Sequence, residues 1–307
     1  MRILMRQIFS ALLLGLLFAP SLQVESSNFV PRIDFDRPLE VPGKVIHGAG
    51  QVNLHEYASL AAELPEDRWP AFHMVYLGVK SHRESMEHDF AQWRRWLALL
   101  PPDAGLQLGL SFTQDGKGKE AQYAEDIIAG HYDANLEQLA DYLNTLNRPI
   151  WVRIGYECNG PWNGYQPDTY PEAFRHIAQI LRQHGNPKLA IVWCVHPIHG
   201  IERLMQFYPG DEWVDWWSID LFSPQSLDSP VVREFCARAT EHRRPVLIGE
   251  CAPRKVPNEE KWETWYAPLF ELFRSEPAIK GFSYINRNWN GSRWNWGDGR
   301  VTRDPRL

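Results

Sequence analysis

The sequence predicts an α/β fold: a single (β/α)8 TIM barrel after an N-terminal signal segment. Three observations predict it. Eight short segments are apolar on both faces, as parallel strands are when both sides of the sheet are covered. Stretches with helical apolar spacing alternate with them. The alternation fills about 250 residues, the usual size of one such barrel, without a repeat, a low-complexity tract or a linker.

The elements follow in order. After the Pro-punctuated lead-in "VPRIDFDRPLEVPG", "KVIHGAGQ" (Lys44 to Gln51) reads as the first strand and "AFHMVYLGV" (Ala71 to Val79) as the second. From Glu87 to Leu100, Phe90, Trp93, Leu97 and Leu100 recur at helical spacing. "GLQLGLSFTQDG" supplies the third strand, "NLEQLADYLNTLN" a helix and "RPIWVRIGYE" the fourth strand. Thr169, Pro171 and Glu172 mark the next helix start as a capping box, with Gly185 as its stop. "KLAIVWCVHP", "EWVDWWSIDLFS" and "PVLIGECAPR" are strands five to seven, with a helix in "VVREFCARATEHRR". A last helix, around Trp262 to Ser275, leads into the eighth strand, "IKGFSYINRNW".

At the N-terminus, Arg2 and Arg6 precede an apolar run from Ile8 to Ala19, too short to span a bilayer comfortably. Residues 1–27 are therefore expected to be a signal peptide with its cleavage point open, and 28–307 the barrel. A secreted or periplasmic protein without stable membrane insertion is expected. An uncleaved signal anchor is the alternative.

Net charge is −6 with no basic stripe, which argues against a nucleic-acid partner. The fourteen Trp suit either a large core or a ring-lined cleft. Cys158, Cys194, Cys236 and Cys251 match no zinc spacing, and are either small buried residues or one or two bridges. There is no His-x-His, no nucleophile elbow, no phosphate loop and no dinucleotide fingerprint, so neither metal nor cofactor is expected. A monomer is expected.

A barrel of this kind carries its site at the carboxyl ends of its strands. Strand four ends at Glu157 and strand seven at Glu250. Strict alternation from Glu157 places Gly155 and Arg153 on the inner face, and alternation from Glu250 places Ile248 and Val246 there. Arg153 could then keep one carboxylate ionised, most naturally Glu250, while the other keeps a proton. Glycoside hydrolysis needs that division between an acid and a nucleophile, and a retaining enzyme holds the two carboxyls about 5–5.5 Å apart. Asn159, Trp162 and Asn163 follow the first acid and are expected to bind a sugar ring, with Arg153, His196, Tyr284 and Trp289 as further substrate-binding candidates. Gly160 and Gly164 would let that loop turn sharply.

The stretches "RIGYECNGPWNGY", "VWCVHP", "EWVDWWSIDLFS" and "VLIGECAP" resemble glycoside hydrolase family 26, within the retaining glycosidases of clan A. The resemblance runs from about Lys44 onward. It implies Glu157 as acid/base, Glu250 as nucleophile and a β-mannan, β-xylan or β-glucan substrate. Two positions depart from the family pattern: Tyr156 stands where His is common, and Phe222 where a Tyr commonly holds the nucleophile. The competing readings are a non-hydrolysing carbohydrate-binding barrel and an unrelated barrel hydrolase.

Overall fold

The computed structural model describes residues 30–52, 54–113, 123–292 and 295–301. The expected signal peptide lies outside the described residues. Eight parallel strands close into a barrel in sequence order: β1 Ile46–Gly50, β2 Phe72–Gly78, β3 Gly105–Ser111, β4 Ile150–Ile154, β5 Leu189–Val195, β6 Trp216–Leu221, β7 Val246–Cys251 and β8 Ile279–Ile285. All eight fall inside the segments read from the sequence. β1 pairs with both β2 and β8, so no strand edge is left open.

The helices are α1 Leu54–Glu63, α2 Arg83–Leu97, α3 Ala124–Ile128, α4 Asp133–Leu146, α5 Tyr170–Gln183, α6 Ile201–Met205, α7 Pro224–Leu227, α8 Pro230–Glu241 and α9 Ala267–Ser275. A π-helical turn, Trp262–Tyr266, precedes α9. The helix α1 was not legible in the sequence. The helix α5 starts where its signals put it, with Thr169 at the cap position, Pro171 in the first turn and Gly185 at φ +68° past its end. The capping-box expectation needs correction in one respect. The Thr169 side chain makes no cap hydrogen bond, and its hydroxyl is buried without a partner.

Large side chains close the barrel floor. Phe72, Trp151, Ala190, Val192, Trp216 and Leu247 form one buried interior cluster. The Phe72 and Trp151 rings are 5.2 Å apart, and Trp151 meets Trp216 edge-on at 6.4 Å. The Trp216 indole donates to Pro38 O at 2.7 Å, tying the lead-in across this end. Lys280 on β8 holds the same lead-in through Asp34 and, at 3.2 Å, Glu40. The floor is thus packed solid, and ligand access is left to the opposite rim.

Of the two readings of the cysteines, the buried one holds: all four are free thiols inside the protein. Most of the tryptophan surface also goes to packing, with Trp93, Trp193, Trp216, Trp217 and Trp265 fully buried.

Candidate active site

The inward layer above the floor is polar. Arg153 on β4 is completely buried and points into the barrel, as alternation required. Its Nη2 donates to Asp220 Oδ2 at 2.6 Å, and its Nη1 to Glu250 Oε1 at 3.0 Å and Gly249 O at 3.0 Å. Gln107 on β3 also donates to Gly249 O, at 2.7 Å. Charge-assisted contacts of this kind give the strong bonds of a buried site. Burial alone would depress the guanidinium, but Asp220, Cys194 and Glu250 outweigh it and hold Arg153 well above its ordinary range. Arg153 is therefore enclosed by protein rather than open to substrate, which corrects its place among the substrate-binding candidates.

Gly249 is a packing requirement. A Cβ there would sit 2.4 Å from Ser218 Oγ, 2.7 Å from Asp220 Oδ1 and 3.0 Å from Arg153 Nε. It follows that Gly249 faces inward, as does Leu247, a member of the floor cluster. Val246 and Ile248 then face the helix layer, contrary to the alternation expected from Glu250. The reason is an irregularity in β7: its pairing with β8 shifts register between Ile248 and Cys251. That shift turns Glu250 inward directly after an inward Gly249.

Alternation also stops early in β4. The strand ends at Ile154, and Gly155 takes φ +54°. A Cβ on Gly155 would strike Tyr170 of α5 at 2.7 Å and Phe112 at 2.9 Å, so this residue does not face the mouth. Tyr156 does. Its ring lies 5.7 Å from Tyr76 and 5.1 Å from the Arg153 guanidinium carbon. Glu157 is next, at φ +49°, a left-handed conformation that costs a non-glycine residue free energy. The surroundings hold it there. Glu157 O accepts from Gly160 N at 2.8 Å and from Asn163 Nδ2 at 3.1 Å, and Asn163 also binds Tyr156 O.

The Glu157 carboxylate has a different environment from Glu250. Its side chain is 14% exposed, and its Oε2 accepts from Trp162 Nε1 at 2.7 Å. No guanidinium bonds to it among the described residues. Burial raises its pKa to about 7, the charge of Glu250 adds to this, and the Trp162 bond opposes it. His196 Nε2 is 3.9 Å from Oε1, too long for a hydrogen bond. Burial lowers His196 to about 4, so the ring is neutral near pH 7 and forms no ion pair with Glu157.

The remaining sequence candidates divide. Trp162 is 47% exposed and offers an open ring face beside Glu157. Gly160 makes room for it, since a Cβ there would lie 2.5 Å from the indole. Asn159 does not present a free amide: its Nδ2 donates to His196 O and its Oδ1 accepts from His196 N, both at 2.8 Å. It fixes the loop after β5 instead. Tyr284 is buried, with its hydroxyl engaged by Tyr266 at 2.8 Å and Gly299 O at 2.6 Å. Trp289 is 3% exposed and packs on Trp296 at 5.6 Å. Both anchor the C-terminal tail, and neither presents an open stacking face. Sequence reasoning missed Asp220, although "WWSIDLF" puts a carboxylate at the end of a buried strand just as "WVRIGYE" does. It also missed Tyr76, which burial and the charge of Glu250 together raise well above the ordinary phenol range.

The raised Glu157 has a stability consequence. Its folded pKa of about 7 exceeds the unfolded value, so the fold favours the protonated acid. Its stability contribution is full below pH 4.5 and is lost as pH rises to about 7. Glu157→Gln is expected to match the parent near pH 4.5 and to exceed it at pH 8 by on the order of 3 kcal/mol. Thermal melts at the two pH values check this, and parallel pH curves for the two proteins would refute it.

Fold and site together define a (β/α)8 barrel with one carboxylate at the carboxyl end of β4, a second at that of β7, and a buried guanidinium beneath. The comparisons with known proteins agree with the fold. The family described as Glycosyl hydrolase family 26 matches residues 117–253, and the chain is glycoside hydrolase family 26-like. A beta-1,3-xylanase from Alcaligenes sp is 29% identical over 69% of this chain and 50% of its own length. Endoglucanase H from Acetivibrio thermocellus is 32% identical over 45% of this chain and 18% of its own. The chain spans about half the length of the curated beta-1,3-xylanases it matches. Among solved structures, a GH26 beta-mannanase from Bacteroides ovatus superposes with a TM-score of 0.61 at 14% identity, covering 85% of this chain and 86% of that one. The YdhT protein from Bacillus subtilis gives 0.58 at 17% identity, covering 83% and 87%.

Proposed function

We propose that the chain is a retaining O-glycosyl hydrolase of β-linked polysaccharide or oligosaccharide, with a xylan, mannan or glucan backbone. The observation that carries this is the unequal treatment of the two acids. Glu250 is bonded to a permanent cation, whereas burial raises Glu157 to about 7 and, among the described residues, its carboxyl bonds only a neutral indole. Two carboxyls in contrasting environments suit a nucleophile and a proton donor. In the first step a Glu250 oxygen bonds the anomeric carbon while Glu157 gives its proton to the departing glycosidic oxygen. In the second, Glu157 takes a proton from water, whose oxygen displaces Glu250 and restores both acids. Trp162 fixes one oxygen of the acid and offers its exposed face to a sugar ring.

Reducing-sugar release from a panel of xylans, mannans and β-glucans tests the activity, and the anomer first formed, read by proton NMR, tests retention. No release from any polymer would leave the non-hydrolysing alternative; an inverted first product would remove Glu250 from the nucleophile role. The pH dependence follows from Glu157. The donor loses its proton as pH rises through about 7, so kcat/KM should fall about tenfold per pH unit above that point. A flat profile to pH 9 would contradict the donor assignment. We further propose that residues 1–27 direct export, which N-terminal sequencing of protein recovered outside the cytoplasm would check. Among the described residues no helix is long and apolar enough to cross a membrane.

A further inference from the structure

The segment after β7 opens a cavity of about 400 Å³, within the roughly 300–1,000 Å³ usual for ligand sites. Its walls include Ser223, Gln225, Arg254, Lys255, Glu260 and Thr264. Two cationic residues and one carboxylate thus line it. Among the described residues neither Arg254 nor Lys255 pairs with an acid. Glu250, four residues before Arg254, bonds Arg153 instead.

The Arg254 guanidinium is held in place, and so is the backbone of Lys255. The Arg254 guanidinium lies 4.9 Å over the Trp296 ring, and its backbone N donates to Phe222 O at 3.1 Å. Stacking restrains a guanidinium while leaving its N–H groups free to donate. Lys255 sits at φ +59°, a conformation that costs a non-glycine residue free energy, and its backbone N donates to Trp296 O at 2.6 Å. Arg254 lines the cavity four residues after Glu250 in the chain. The charge of Arg254 acts on both Glu157 and His196, lowering each. An oriented guanidinium and a lysine without acidic partners, flanked by the hydroxyls of Ser223 and Thr264, suit an anionic group on a sugar.

We propose that this cavity is a subsite for an acidic sugar, one bearing a carboxylate or a sulfate, close to the bond that is cut. The inference rests on the glycanase reading and names its substrate class: a polyanionic or acid-substituted glycan rather than a neutral one. Arg254 donates to the anionic oxygens, Lys255 adds a point charge, and Ser223 and Thr264 lie in reach of the neighbouring hydroxyls.

The test takes whichever polymer is hydrolysed best and compares it unmodified, carboxymethylated and sulfated to equal degree. The parent protein is expected to show a kcat/KM at least about tenfold higher on an anionic form, the better of the two identifying the group. In Arg254→Met and Lys255→Met that preference ratio falls about tenfold, with Arg254→Lys in between. Salt near 0.5 M lowers the ratio in the parent only. Affinity electrophoresis in gels holding the same three polymers reads binding independently, so the inference is decided even if no polymer is cut. A parent that favours the neutral polymer in both assays, or an Arg254→Met protein that keeps the full ratio, overturns the subsite. Absence of hydrolysis together with selective retardation by the anionic gels would keep the subsite and overturn the glycanase reading.

Discussion

Glu250→Gln is expected to fold normally and to lose about 10⁴-fold in turnover, the upper end of what a positioned acid or base contributes. The amide keeps the shape and can still accept from Arg153, but it cannot form the glycosyl ester. Glu157→Gln should lose a comparable factor on natural polymers and behave differently on activated substrates. An aryl glycoside whose leaving group needs no proton can still glycosylate Glu250, and azide can then intercept the intermediate as a glycosyl azide. Rescue by azide is therefore expected for Glu157→Gln and not for Glu250→Gln. The measurement is aryl release with and without azide, with identification of the azide adduct. The opposite pattern would exchange the two roles, and near-normal activity in Glu250→Gln would remove it from the chemistry.

Arg153→Met is expected to be among the most destabilising single changes in the barrel. It leaves Asp220, whose side chain is completely buried, and Glu250, 11% exposed, without their shared cation. Breaking a buried pair by removing one partner costs about 3–5 kcal/mol. The loss should depend on pH. In the variant Asp220, whose carboxyl burial already pushes well above the usual range, and Glu250 lose their counter-charge, so protonation relieves the fold. Stability is then retained at low pH and lost as pH rises through the carboxylate range. Thermal melts at pH 4.5 and pH 8 should show a small deficit at the first and one of roughly 10 °C at the second. Equal deficits at both would mean that Arg153 acts through packing alone. Arg153→Lys keeps the charge without the fork and should fall between.

The same ion-pair cluster bears on the residues that depart from the family pattern. Phe222 stands where a tyrosine hydroxyl is common, and it packs on Trp296 at 6.1 Å. Here Glu250 is held from below by Arg153, itself braced by Asp220. Tyr156, in the place of a common histidine, covers that guanidinium with its ring. Phe222 and Tyr156 are thus compatible with a firmly positioned Glu250, since its anchoring comes from β4 and β6.

The sequence by itself determined the eight strands, their order and the placement of Glu157 and Glu250 on one rim. Those features depend on local apolar periodicity, on turn residues and on a topology in which every strand runs the same way. Arg153 was legible for the same reason, because mid-strand alternation is enforced by the pleat. Only the tertiary structure decided what happens at the strand ends. There the pleat gives out: Gly155 and Glu157 turn left-handed, and β7 slips register before Cys251. Inward and outward positions then depend on neighbours from other strands. Which polar groups are engaged was likewise decided by contacts far apart in sequence. Asn159 is committed to His196, Tyr284 to Gly299, Trp289 to Trp296, and Asp220 to Arg153 across 67 residues. Whether a buried polar side chain is free or engaged depends on which partner atoms the fold brings within hydrogen-bond distance, and no local pattern in the chain encodes that distance.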